Sequence, residues 1–265
     1  MAKRIVTLLT DFGLEDHFVG VMKAIMLEIN PELQFIDITH MIHRHDIASG
    51  AFTLGQAYSY FPSGTINLAI VDPGVGTARR ALVATCEGRF FVAPDNGLLT
   101  YVYNNEEVVL THEITSEHYM RKPVSATFHG RDIFAPAAAW LSRDIAVGQF
   151  GAPVPNPVKL KVPELTRVRD NLIQAAVLAV DHFGNAITNL KPQDVPAYLG
   201  SPKKCKMLAG QREITAFKKT YGDGLPGEVF VVPGSTGRLE IVINNGSAAA
   251  ELNLKPGALI GVVLG

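Results

Sequence analysis

Four prolines within a short stretch, Pro153, Pro155, Pro157 and Pro163, separate two regions of different hydrophobic patterning. Proline fixes φ and lacks an amide proton, so such a cluster suits neither a helix interior nor a central strand. Before it, apolar runs of strand length (4–9, 33–38, 65–71, 81–86 and 89–93) alternate with helical spacing. Phe18, Val21, Met22, Ile25 and Ile29 form one such face, with Asp16 at the expected helix start. Ile47, Ala51, Leu54, Tyr58 and Phe61 form another, with Asp46 in position to cap it. Short helices are expected near 97–104 and 132–142. This alternation predicts an α/β domain over residues 1–163 with a largely parallel central sheet.

After the prolines the period changes. Residues 173–180, 186–190, 204–208, 211–217, 228–232, 238–244 and 259–264 read as short strands between Gly and Pro turns. They predict a smaller all-β barrel domain over 164–265.

Of the 265 residues, 47% are hydrophobic and 18% charged, enough apolar surface for a substantial core. Lys and Arg number 24 against 25 Asp and Glu, which argues against a nucleic-acid or membrane-surface partner and for a small-molecule one. No run approaches the length needed to span a bilayer, and the apolar run after Lys3-Arg4 ends at Asp11, short for a secretion signal. A cytoplasmic location is expected. The two cysteines, Cys86 and Cys205, read as unpaired thiols.

Four loops are more polar than their surroundings require. Asp72 follows the apolar run Thr65–Val71, and Pro73, Gly74 and Gly76 lead to Arg79 and Arg80. A carboxylate at the end of a strand is where an open α/β sheet places its chemistry. The glycines are read as letting backbone approach a ligand, and Arg80 as a surface charge. Asp11 follows the first strand, ready for a diol or amine, or for capping a helix. His129 lies in Phe128-His129-Gly130-Arg131-Asp132, suited to acid–base work or to a structural hydrogen bond. Asp181-His182-Phe183-Gly184-Asn185 either reads a flat heterocycle by stacking and amide contacts or is an Asx-type hairpin turn.

Two other patterns carry less. Gly74-Val75-Gly76 lacks the third glycine of a dinucleotide fingerprint. His40, His43, His45 and Asp46 resemble a metal-ligand group, but lie in one loop before a capped helix, so no metal is expected.

Taken in order, Thr10–Gly13, Val71–Thr77, Ala93–Thr100, Phe128–Asp132, Asp181–Asn185 and Asn245–Ala248 resemble the motifs of the S-adenosyl-L-methionine hydroxide adenosyltransferases, relatives of fluorinating and chlorinating enzymes. The resemblance spans nearly the whole chain. It implies a homotrimer whose sites lie at subunit interfaces, and attack of water on S-adenosyl-L-methionine, giving adenosine and L-methionine without a cofactor. It also implies that Asp72, Arg79 and His129 activate the water. Asp11 would hold the ribose, and Asp16 and Asp181 would face the methionine ammonium. Phe183, Asn185, Tyr221 and the backbone near Asn245 would surround adenine, and Ser235 would touch the carboxylate. The halogenating relatives have an aromatic or small residue in place of Asp72, Arg in place of Thr236 and Trp in place of His45. The fluorinating ones insert a loop where this chain runs directly from Cys86 to Phe90. Alternative readings are a halogenase, a metal-dependent hydrolase using His40, His43, His45, Asp72 and His129, and a non-catalytic sensor.

Overall fold

The computed structural model describes residues 4–198 and 205–265, in two compact units, Met1–Leu160 and Lys161–Gly265. Lys204, where an expected strand begins, lies outside the described residues.

The first unit is built on a six-stranded sheet. Its strands are β1 (Ile5–Thr10), β2 (Gln34–Thr39), β3 (Ile66–Ile70), β4 (Ala81–Cys86), β5 (Arg89–Pro94) and β6 (Leu110–Glu113), in the order β2-β1-β3-β5-β4-β6. β1 pairs in parallel with β2 and β3, and β3 with β5. Side chains alternate between the faces of a strand. Val6 and Leu8 of β1 join the core under α1 (Phe18–Ile29) and α4 (Ala135–Leu141), which pack on each other. Leu9 points to the other face, towards α2 (Ile47–Ala57), where Phe52 meets Tyr101 of α3 (Thr100–Asn105) edge-on. With both faces covered, β3 is buried along its whole length.

The sheet is mixed, which corrects the expectation of a largely parallel one. Only Glu87 and Gly88 connect β4 to β5, both with positive φ (44° and 75°). A two-residue connection permits only an antiparallel hairpin. β6, whose pattern is too polar to read as a strand, completes the sheet antiparallel to β4. The expected helix at 132–142 begins as a π-helical turn, Gly130–Phe134, and becomes α4 at Ala135. Asp46 caps α2 by accepting from Ser49 N at 2.9 Å. Asp16 lies outside α1, whose N-cap is His17.

The proline-rich stretch is stitched to this unit through the residues between its prolines. Val154 N donates to Thr111 O, Val158 N to Asp95 Oδ1 and Leu160 N to Thr100 Oγ1, each at 2.8 Å. Arg80 belongs to the same clamp, which corrects its reading as a surface charge. Its Nε donates to Asp95 Oδ2 at 2.7 Å, and its guanidinium reaches Asn156 O at 2.9 Å. The Asp95 side chain is 2% exposed, so its charge needs this partner.

The second unit is an antiparallel, barrel-like sheet. It comprises β7 (Thr166–Arg169), β8 (Leu172–Val180), β9 (Ala186–Thr188), β10 (Cys205–Ala209), β11 (Arg212–Ile214), β12 (Val229–Pro233), β13 (Leu239–Ile243) and β14 (Leu259–Leu264). The order is β11-β10-β14-β8-β9-β13-β12, with β7 on β8. The two ends of this order approach each other: Val231 N donates to Ala216 O and Lys218 N to Val231 O, both at 2.9 Å. Val177, Leu190, Met207, Ile241 and Val262 fill the interior. Cys86 and Cys205 are free thiols, and burial pushes Cys86 up to about 11. No helix among the described residues is long and apolar enough to cross a membrane.

Asp95→Ala is expected to cost roughly 1.5–3 kcal/mol, the range for hydrogen bonds to a charged group. Urea unfolding would show a lower midpoint at unchanged slope; an unchanged midpoint would mean that the clamp adds nothing.

Candidate active site

The strand order fixes where chemistry can sit. From β1 the chain moves to β2 on one side, then returns by α2 to β3 on the other. Open α/β sheets bind ligands at such a reversal, outside the carboxyl ends of the strands. β1 and β3 stay in register to their last residues, Thr10 beside Ile70. Asp11 and Asp72 therefore leave the sheet at the same edge.

Asp72, Arg79 and His129 come together there. Arg79 Nε donates to Asp72 Oδ1 at 2.9 Å and to Oδ2 at 3.0 Å. Its Nη2 donates to Asp72 Oδ2 and is 2.9 Å from His129 Nδ1. The Asp72 and Arg79 side chains are 5% and 10% exposed, so solvent screens the pair weakly. Arg79 also lies over the Phe134 ring, 5.0 Å from its centroid.

The approach of the two loops depends on Gly76. Its φ is +77°, and a Cβ there would meet Ala126 O at 2.2 Å. The close approach is thus to the loop before His129, not to a ligand as the sequence suggested; Gly74 has no such crowding. Asp132 secures the other side. Fully buried, it accepts from Arg131 Nε at 2.7 Å, Arg131 Nη2 at 2.8 Å and Ser125 N at 2.9 Å. Burial raises its pKa, but the Arg131 and Ser125 hydrogen bonds outweigh that and hold the carboxyl below its ordinary value.

Arg79 settles the tautomer of His129. Guanidinium has no acceptor, so Nδ1 must be the unprotonated nitrogen and Nε2 carries the hydrogen. Burial, then the Arg79 charge, lowers the His129 pKa from its ordinary 6.5. The imidazole is a neutral N–H donor. Asp72 is left as the acceptor of the group, since each carboxylate oxygen has more than one lone-pair site.

Two cavities share Phe12 in their walls, and the smaller adjoins these residues. A small one of about 130 Å³ is lined by Asp72, His129, Phe12, Phe18, Val75 and Phe128. An open cleft of about 630 Å³ runs along Asp11–Asp16 and His40–Arg44. Asp11 and Asp16 both face the cleft, and Asp11 Oδ2 accepts from His45 N at 2.9 Å. His40 is buried, with Nδ1 2.8 Å from Thr10 Oγ1 and Nε2 3.1 Å from Asp37 Oδ1. It braces the ends of β1 and β2. Among the described residues, no three His, Cys, Asp or Glu side chains are placed to hold a metal ion.

The remaining predicted residues lie in the second unit. Asp181 orders its own turn, accepting from Phe183 N at 2.9 Å, Asn185 N at 2.8 Å and Asn185 Nδ2 at 2.8 Å. This is the hairpin-turn role; the Asn185 backbone carbonyl accepts from Asp181 N at 3.1 Å, and the side-chain amide, with its nitrogen donating to Asp181, has Oδ1 as its acceptor. The Phe183 ring is 75% exposed and Tyr221 47%. Ser235 and Asn245 are exposed in the turns that follow β12 and β13. Asp132, which the sequence placed in the His129 motif without a role of its own, stands out, as does Glu240, which the sequence reading passed over, a carboxylate inside an otherwise apolar strand.

A polar group at the switch point of an α/β sheet, in one chain with an antiparallel barrel-like unit, defines an enzyme of mixed α/β and all-β build. The family model for the SAM hydroxide adenosyltransferase N-terminal domain matches residues 6–151, and that for the C-terminal domain matches 175–261. The chain belongs to this family. It is 38% identical to an (R)-S-adenosyl-L-methionine hydrolase from Salinispora tropica, covering 97% of this chain and 96% of that protein. An (R)-S-adenosyl-L-methionine hydrolase from Thermus thermophilus is also 38% identical, over 96% and 97%. The crystal structure of an uncharacterized conserved protein from Thermotoga maritima superposes with a TM-score of 0.89 at 36% identity, over 97% of this chain and 99% of that one.

The His129 geometry makes a prediction. In nitrogen-15 spectra Nδ1 should stay unprotonated and Nε2 protonated until the pH falls below 6.5. A folded pKa below the unfolded one means that this residue's contribution to stability is lost as pH falls from about 6.5 through the folded value. Protonation at or above 6.5 would contradict the arrangement.

Proposed function

We propose that this chain hydrolyses S-adenosyl-L-methionine to adenosine and L-methionine. The observation that carries the reading is the Arg79 bridge, which holds one acceptor, Asp72, and one donor, His129 Nε2–H, beside a small partly apolar cavity. The names of the full-length relatives support the substrate.

The sulfonium leaves as a neutral thioether, so no acid is needed at sulfur. The barrier lies in the nucleophile, because water is weak until it can lose a proton. His129 Nε2–H donates to one lone pair of the water and orients it. Asp72 accepts a water proton as the second lone pair attacks C5′. The C5′–O bond forms, the C5′–S bond breaks with its electron pair going to sulfur, and the proton ends on the Asp72 carboxylate. Alignment of water, C5′ and sulfur supplies the rest. Arg79 keeps the carboxylate in place as its charge changes. The step uses no cofactor or metal. A complete Asp72–Arg79–His129 set favours water over a halide.

In the same reading Asp11 receives the ribose hydroxyls and Asp16 the methionine ammonium, both from the cleft wall. Asp181, with its oxygens already engaged, adds negative charge near that ammonium. The Asn185 side-chain Oδ1 accepts from the adenine amino group, with the Phe183 and Tyr221 rings and the backbone near Asn245 around the base. Ser235 contacts the carboxylate. A homotrimer with each substrate shared by two copies, and a domain boundary near residue 163, complete the proposal.

Asp72→Asn keeps the shape and removes the proton acceptor. Turnover should fall roughly 10²–10⁴-fold while the Kd for adenosine changes little. Adenosine release followed by chromatography, with calorimetry for binding, checks both. Full turnover in the variant would sink the assignment of Asp72.

A further inference from the structure

Glu240 is the outlier of the second unit. β13 reads Leu239-Glu240-Ile241-Val242-Ile243, with one charged residue among four apolar ones. Glu240 shares its face with Val242, which packs on Phe230 and Val232, and it is only 4% exposed. Carboxylates are almost never this buried without a partner. Burial, with the Asp181 charge adding to it, raises its pKa above the ordinary carboxylate value.

Its contacts lead outward to two surface elements. The Tyr221 hydroxyl donates to Glu240 Oε2 at 2.8 Å. The Tyr221 ring, about half exposed, stands on a single helical turn, Tyr221–Asp223. That turn is itself fixed: Thr220 N donates to Asp223 Oδ2 at 3.0 Å, and Lys218 Nζ to Asp223 O at 2.8 Å. The loop sets the position of the ring's base, and Glu240 sets where its far end lies. The second element is the turn that carries Ser235. A Cβ on Gly234 would fall 1.8 Å from Glu240 Oε1, so the backbone there rests directly on the carboxylate.

A purely structural carboxylate would be replaceable by an apolar residue of similar size, often with a gain in stability. Glu240 instead touches two elements that present exposed side chains, the Tyr221 turn and the turn that carries Ser235. We infer that Glu240 is a positioning residue for substrate, anchoring the Tyr221 ring as a wall for the nucleobase and seating the Ser235 turn. The inference rests on the reading that Tyr221 and Ser235 face substrate. An aromatic wall held before binding lowers the ordering cost of binding.

The test compares Glu240→Leu, Glu240→Gln, Tyr221→Phe and the Glu240→Leu/Tyr221→Phe pair in the full-length protein, with adenosine as the binding probe. Glu240→Leu should melt no lower than wild type, yet bind adenosine about tenfold more weakly, the scale of one charged hydrogen bond. KM for S-adenosyl-L-methionine should rise in parallel, with kcat within about twofold. Glu240→Gln can still accept from the phenol and should bind nearly as wild type does. Tyr221→Phe should match Glu240→Leu, and the pair should be no weaker than either alone, the signature of one shared interaction. Wild-type affinity in Glu240→Leu, or independent losses in the pair, would overturn this inference alone. Failure of the wild type to bind adenosine would overturn the functional reading and this inference with it. If Glu240→Leu does not fold, Tyr221→Phe decides from the exposed side: unchanged affinity and KM overturn the inference.

Discussion

Arg79 offers a flat fork of N–H donors and no acceptor, and the edge of the α/β unit is arranged around that fact. Two donors hold both oxygens of Asp72, and one also reaches His129 Nδ1. A lysine would supply the charge without the planar geometry that fixes two neighbours at once. Because the guanidinium cannot accept, the imidazole has one orientation of function: Nδ1 inward as acceptor, Nε2–H outward as donor. The low exposure of the pair makes the arrangement stiff, and Phe134 beneath the guanidinium limits its movement further.

Everything near this bridge can be read as bringing its parts together. The order β2-β1-β3 places Asp11 and Asp72 at one sheet edge. Gly76 permits backbone contact with Ala126, so the loop after β3 and the loop before the π turn meet without an intervening side chain. Asp132 ties the second loop to Arg131 and Ser125. In the barrel-like unit, Asp181 orders the 181–185 turn and Glu240 stands behind Tyr221, again a carboxylate directing a side chain that faces outward. Such preorganisation carries a cost where the charge is buried, as at Asp132 and Glu240, because taking an ionised group out of water is unfavourable.

Much of this was legible in the sequence. The alternation of apolar runs with helical faces exposed the first unit, and short strands between Gly and Pro turns exposed the second. Strand-end carboxylates pointed to Asp11 and Asp72 because the period of a strand says where it stops. What stayed hidden depended on partners distant in the chain. β6 has no apolar pattern of its own and exists because β4 pairs with it. Arg80 looks like any surface arginine until the fold brings Asp95 and Asn156 to it. Gly76 serves Ala126, fifty residues on, a relation that spacing does not encode. The Glu87-Gly88 hairpin was readable from its two-residue length, and it makes the sheet mixed. Glu240 also left a signal, a lone charge in an apolar strand, though only the fold shows that it reaches Tyr221.

The central claim is that the Asp72–Arg79–His129 group delivers one water molecule to C5′. Incubating the purified protein with S-adenosyl-L-methionine in oxygen-18 water, with and without chloride and fluoride, tests it most directly. Mass spectrometry should find adenosine carrying one heavy oxygen at the 5′ position, in equal amount whatever halide is present. A 5′-halo-5′-deoxyadenosine, or adenosine without the label, would contradict it.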